Sequence, residues 1–157
     1  MEHNLRIVSP ETAEALLELL DDAEALPLTV SGNSMTPFLV HERDIVYLSR
    51  VAGRLRRGDI ALYRRSSGRF VLHRVVGVCD GEYVMLGDAQ TKVERGIAES
   101  QICAKAVAVL RDGRMIREGD FTWRFFARVW TRVVPLRAVL VRAYSFVKRR
   151  CSGRGDI

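Results

Sequence analysis

The sequence predicts a mostly-β fold: a barrel-like core between a short N-terminal helix and a basic amphipathic C-terminal helix. Three observations predict it. Short runs rich in Val, Ile, Leu and Tyr fill residues 28–116 and are separated by Gly and Asp turns. Apolar residues at both ends recur at three- and four-residue spacing. Charge is uneven: residues 1–110 carry 13 Lys+Arg against 15 Asp+Glu, whereas residues 111–157 carry 12 against 4. The positive excess therefore belongs to the tail, where anionic lipid or nucleic acid is the partner it suggests.

The chain of 157 residues suits one compact domain and not two. The expected divisions are 1–27 for the helix and lead-in, 28–118 for the core, and 119–157 for the basic tail. Ser9 and Pro10 read as a helix start, and Leu16, Leu17, Leu19 and Leu20 give the helix an apolar side. It should run to about Glu24, with Pro27 as its stop. Strands follow at Leu28–Val30, Asp44–Leu48, Asp59–Tyr63, Phe70–Val78, Tyr83–Leu86, Ile102–Leu110 and Met115–Ile116. Turns are expected at residues 64–68, at Asp80-Gly81 and at Asp112-Gly113. From Asp120 to Arg150 the pattern is helical again. Phe121, Phe125, Val129, Val133, Leu136 and Leu140 form one row, and Arg124, Arg128, Arg132 and Arg142 form another. Pro135 should kink or divide this helix.

Cys79, Cys103 and Cys151 match no metal-binding spacing, and an odd count gives no complete disulfide set. Two buried thiols and one exposed tail thiol are expected, and no metal or cofactor. The N-terminus does not read as a signal peptide, because Glu14, Glu18, Asp21 and Asp22 interrupt its apolar residues. The window nearest to a membrane span, 121–147, is broken repeatedly by arginine. The expected location is cytoplasmic or at a membrane surface.

Ser34 lies in Ser31-Gly32-Asn33-Ser34-Met35-Thr36-Pro37. A glycine before and a proline after a serine can form a tight turn that exposes the hydroxyl and gathers backbone N–H groups for an oxyanion. Alone, the segment does not separate such a loop from a plain Ser/Gly/Asn/Pro turn. A serine nucleophile needs a base. His3 is terminal and His41 is expected to face solvent, whereas His73 sits in an apolar strand. A strand histidine alone is more often structural, but beside a serine loop it becomes the best candidate. Lys105, also in an apolar strand, is the rival; Lys92 and Lys148 lie in polar or basic stretches. Asp88 and Glu94 are the candidates to orient the histidine. Turn formation at Gly87-Asp88 and an ion pair of Glu94 with Arg95 are their plainer readings.

At these residues the sequence resembles the signal peptidase I and LexA-type serine peptidases. Gly32-Asn33-Ser34-Met35-Thr36-Pro37 is similar to their Gly-x-Ser-Met-x-Pro box. Arg57-Gly58-Asp59-Ile60 with Val71-Leu72-His73-Arg74-Val75-Val76 resembles the second block, and Gly87-Asp88-Ala89-Gln90 the Gly-Asp-Asn-Asn block. Glu99-Ser100-Gln101-Ile102 and Ala104-Lys105-Ala106-Val107 resemble the strand that closes the domain. The likeness spans Thr29 to Ile116 in the family's order.

It implies a coiled β-barrel core. It also implies a Ser34 nucleophile and, as in the archaeal, endoplasmic-reticulum and spore-former branch, a His73 base where other branches have lysine. Glu94 matches the branch's aspartate, with Asp88 as the alternative; Ser31, Gly32, Asn33 and Met35 form the oxyanion and substrate loop. Gly32 stands where many members have a serine. The implied activity is endopeptidase cleavage of leader or signal peptides after small residues. No apolar stretch corresponds to the family's membrane anchor. The expectation is that Phe121, Trp123, Phe125, Phe126 and Trp130 beside the arginine row rest in the headgroup layer of an anionic membrane. Packing on the core or on a partner is the open alternative. Nucleic acid is not expected, since no helix-turn-helix is found. The rival functions are a non-catalytic peptide-binding module on the same fold and a self-cleaving regulator. The latter lacks an Ala-Gly pair before the serine; Ala52-Gly53 follows it.

Overall fold

The structure is a computed structural model that describes residues 24–137 together with Ala15, residues 17–20 and Val139. Eight strands form one antiparallel sheet: β1 (Leu26–Thr29), β2 (Asp44–Ser49), β3 (Ile60–Arg64), β4 (Phe70–Cys79), β5 (Glu82–Leu86), β6 (Glu94–Ile97), β7 (Ile102–Arg111) and β8 (Arg114–Arg117). Their order is β1-β2-β7-β3-β4-β5-β6, with β8 also on β7. Strand β7 organises the sheet. It pairs with β2 over Lys105–Arg111, with β3 over its first residues, and with β8 over its last.

The expected barrel is not closed: β1 and β6 end the sheet as separate edges. Turn spacing specifies hairpins, and it does not specify whether the first and last strands meet. Pro27, expected to stop the helix, lies inside β1 opposite Tyr47. An edge strand tolerates a residue with no N–H to donate. The helix, seen at Ala15 and residues 17–19, has ended before Glu24; its expected start at Ser9 lies outside the described residues. Strand β6 carries Glu-Arg-Gly-Ile and has no apolar alternation to announce it.

Burial explains the rest of the sheet. In β2 the alternation is complete, with Asp44, Val46 and Leu48 inward. Strand β3 and the first half of β4 are covered on both faces. Ile60, Leu62, Phe70 and Leu72 enter the larger core with Phe38, Leu39, Leu20 and Trp123. Ala61, Tyr63, Val71 and Val75 enter a second cluster with Tyr83 and Met85. The buried Asp44 is held by Arg43 and Arg111, and its carboxyl is below its usual range: burial would raise it, and those guanidinium bonds outweigh burial. Cys103 is half-buried, but Cys79 ends β4 exposed and not buried as expected; Cys151 lies outside the described residues.

The helix after β8, α1 (Phe121–Arg128), packs on the sheet through Trp123. Gly58 allows this approach. Its φ is +101°, and a Cβ there would stand 2.9 Å from the Ala127 Cβ. The helix stops before Pro135. The Thr131 hydroxyl donates to the Ala127 carbonyl at 3.1 Å, and the Arg132 guanidinium donates to the Arg128 carbonyl at 2.8 Å. These bonds take up carbonyls that the helix end leaves without partners. Two 3-10 turns, Trp130–Arg132 and Val134–Leu136, carry the chain onward. Among the described residues no helix is long and apolar enough to cross a membrane.

Candidate active site

The β3–β4 hairpin pairs Ala61 with His73 and Tyr63 with Val71. Residues 63 and 73 are thus diagonal neighbours on one face. His73 is 1% exposed there, and Ser34 is 6% exposed in the loop between β1 and β2. The His73 Nε2 and the Ser34 Oγ are 3.1 Å apart. On the other side of the ring, Nδ1 is 3.1 Å from the Tyr63 hydroxyl. That hydroxyl donates to Glu94 Oε2 at 2.9 Å, and Arg65 clamps the same carboxylate with bonds of 2.6–3.0 Å.

These partners fix the protons. An ionised carboxylate only accepts, so the Tyr63 proton points at Glu94. The Tyr63 oxygen is then the acceptor for Nδ1–H. Nε2 carries the lone pair and receives the Ser34 hydroxyl proton. The electrostatics agree. Burial first, and then the Arg65 charge, lower the His73 pKa to about 4, against the opposing effect of Glu94, so the ring is neutral. Burial, and then the neighbouring Glu94, raise the Tyr63 hydroxyl, which stays protonated. Burial would raise Glu94, but the bonds from Arg65 and Tyr63 prevail and keep it ionised.

The four candidate side chains therefore separate. Ser34 and His73 meet directly. Glu94 reaches the ring only through Tyr63. Asp88 does not join them: it is fully buried in a two-bond pair with Arg74, at 2.9 and 2.7 Å. Lys105 is engaged with Asp59 at 3.2 Å and Glu118 at 2.8 Å. Burial would lower its pKa, but these carboxylates raise it, so it is a cation and no base.

The loop residues have distinct duties. Met35 anchors the loop in the larger core, and Asn33 is exposed. Ser31 is half-buried. The Gly32 N–H donates to His41 Nδ1 at 3.2 Å, so His41 braces the loop. The Ser34 carbonyl accepts the Ala89 N–H at 2.7 Å. Gly87 permits that contact, since a Cβ there would lie 2.6 Å from the Ser34 carbonyl oxygen. Behind it, the Trp130 indole donates to the Asp88 carbonyl at 2.8 Å, and the buried Arg137 donates to the Gly87 carbonyl at 3.1 Å. The tail thus supports the nucleophile loop at second hand. An open pocket of about 570 Å³, lined by Arg65 and residues 89–94, borders the Glu94 end of the chain of bonds.

Residue type alone does not mark Tyr63, Arg65, Arg74, Trp130 or Arg137. The hairpin register could have found Tyr63, because a turn at 64–68 that pairs 63 with 71 sets 63 diagonal to 73. Among the described residues no group of three or more His, Cys, Asp or Glu side chains is arranged for a metal ion. Comparison with protein-family models, curated proteins and solved structures gave no match.

Proposed function

We propose that the protein is a serine endopeptidase of signal peptidase type, with Ser34 as nucleophile and His73 as general base. The observation that carries the reading is the 3.1 Å approach of Ser34 Oγ to a neutral His73 Nε2 whose Nδ1–H is already satisfied by Tyr63. In the reaction, Oγ attacks the scissile carbonyl carbon and its proton passes to Nε2. The imidazolium so formed keeps its Nδ1–H on Tyr63, whose hydroxyl leans on the Glu94 anion. Collapse of the intermediate breaks the C–N bond as Nε2–H protonates the leaving amine. Water, deprotonated by the same nitrogen, then releases the acyl group.

The likeness of the serine and histidine blocks to the signal peptidase family supports leader or signal peptides, cut after small residues, as substrates. The near burial of Ser34 favours a second reading, a peptide-binding module that uses the same surface without hydrolysis. One experiment separates the two. A peptide library is incubated with the protein and with Ser34→Ala, and products are read by mass spectrometry. Cleavage after small residues, lost in the variant, supports the peptidase. Peptide capture of equal strength by both proteins, without cleavage, supports the binding module.

A further inference from the structure

The outward side of α1 carries two parallel rows that the Ser34 site does not use. Phe121, Phe125 and Val129 are 78%, 36% and 46% exposed. Single exposed apolar side chains are ordinary, but several side by side mark a surface that meets a partner or a membrane. Further along the chain, Leu136 and Val139 are 57% and 67% exposed. Beside it, Arg124, Arg128 and Arg132 lie exposed at four-residue spacing. Trp123 and Trp130, by contrast, turn inward and are buried. The aromatic residues of this segment thus divide between the core and the surface.

The arginine row opens onto a groove of about 380 Å³ between α1 and the loop before β3. That loop adds Arg54, Arg56 and Arg57 to Arg124 and Arg128. The two carboxylates lining the groove, Asp59 and Glu118, are both engaged by Lys105. The groove therefore presents a strong positive field next to an apolar ridge.

We propose that this side of α1 is a docking surface for an anionic phospholipid membrane. Headgroup phosphates would enter the arginine groove, and Phe121, Phe125 and Val129 would enter the acyl boundary. Each part selects a different portion of one partner. Arginines alone would equally fit a polynucleotide. Valine and leucine gain nothing from stacking on bases, and they gain from leaving water for acyl chains.

The test uses the full chain and phosphatidylcholine vesicles with and without phosphatidylglycerol, read by co-sedimentation. The expected result is binding only where phosphatidylglycerol is present. Phe121→Ser with Phe125→Ser should weaken it at least about tenfold, and so should Arg124→Gln with Arg128→Gln. The exposed Phe121→Ser alone, with an unchanged melting curve, guards against a folding artefact and should also weaken binding. The proposal is overturned if the native chain ignores phosphatidylglycerol, or if the variants bind as the native chain does. It is also overturned if an oligonucleotide binds more tightly than the vesicles and displaces them. None of these readouts depends on peptide hydrolysis.

Discussion

The Tyr63 hydroxyl donates to Glu94 at 2.9 Å, and this one bond decides which nitrogen of His73 carries the proton. The hydroxyl has one proton. Giving it to Glu94 leaves an oxygen lone pair that can only accept from Nδ1–H. A carboxylate thus orients the ring from a distance, with a tyrosine as the intermediary.

Tyr63→Phe removes the intermediary without emptying the space. Nδ1–H is then buried without a partner, at a cost of about 1–3 kcal/mol. The ring also loses its reason to keep the proton on Nδ1. Peptide turnover should fall about 100-fold or more, in kcat rather than KM, as for other losses of a positioned base. Glu94→Gln keeps an acceptor for Tyr63 and should lose less. Equal turnover by native protein and Tyr63→Phe would remove the tyrosine from the mechanism.

The acid response follows from His73. Its folded pKa of about 4 lies below the ordinary 6.5. As pH falls below about 6.5, the unfolded chain takes up a proton that the buried ring refuses. Folding therefore loses stability between about pH 6.5 and about pH 4, by about 1.4 kcal/mol per pH unit at most, and no such loss occurs above that range. His73→Gln should lack this part of the slope. Urea unfolding of both proteins across the range measures it, and parallel curves would sink the burial-driven shift. In turnover, the acid limb should fall near pH 4, far below that of a solvated imidazole.

Asp88 belongs to the framework. Asp88→Asn leaves the Arg74 guanidinium buried with no counter-charge, and such breakage costs about 3–5 kcal/mol. The melting temperature should drop sharply, while any remaining turnover keeps the native acid limb. A displaced acid limb would mean that Asp88 acts on His73 after all.

The legible parts of this molecule are those written in local pattern. The alternation of β2 and the turns at Asp80-Gly81 and Asp112-Gly113 announce themselves, whereas Ser34 and His73 stand out as candidates only when the serine loop and the strand histidine are read together. What stays hidden depends on partners distant in sequence. Asp88 and Glu94 look alike in the chain, and only the sheet sends one to Arg74 and the other to Tyr63. Strand β6 exists because β5 offers it an edge, not because Glu-Arg-Gly-Ile favours a strand. The open edges of the sheet are equally illegible, since no residue records which strands fail to meet. Trp123 and Phe121 share one amphipathic segment, yet α1 buries the first and exposes the second.

Lys105 tests the choice of base. Its ammonium is committed to Asp59 and Glu118, and of the three side chains Glu118 is the most open to water, at 46%. Lys105→Met should cost about 1 kcal/mol or less in stability and leave turnover near the native level. Loss of turnover with an intact fold would reinstate the lysine.

Gly87 offers the most local probe of the nucleophile. Its α-carbon faces the Ser34 carbonyl so closely that an added Cβ would stand 2.6 Å from that oxygen and 3.0 Å from the Ser34 Cβ. Backbone on both sides cannot yield as a flexible side chain would. Gly87→Ala must therefore push the loop off Ser34 and weaken the Ala89 N–H bond to its carbonyl. Overpacking of this kind costs about 1–3 kcal/mol. A displacement near 1 Å at a reacting atom costs about 100-fold in rate, so reactivity should suffer more than stability. Labelling of Ser34 by a fluorophosphonate probe, followed beside the melting curve, measures both. Gly77→Ala is the control, because nothing lies within 4 Å of its added Cβ. If Gly87→Ala labels as fast as this control, the 87–90 loop does not set the position of Ser34. If labelling collapses while the fold persists, the contact between these two backbones holds the hydroxyl in line with His73.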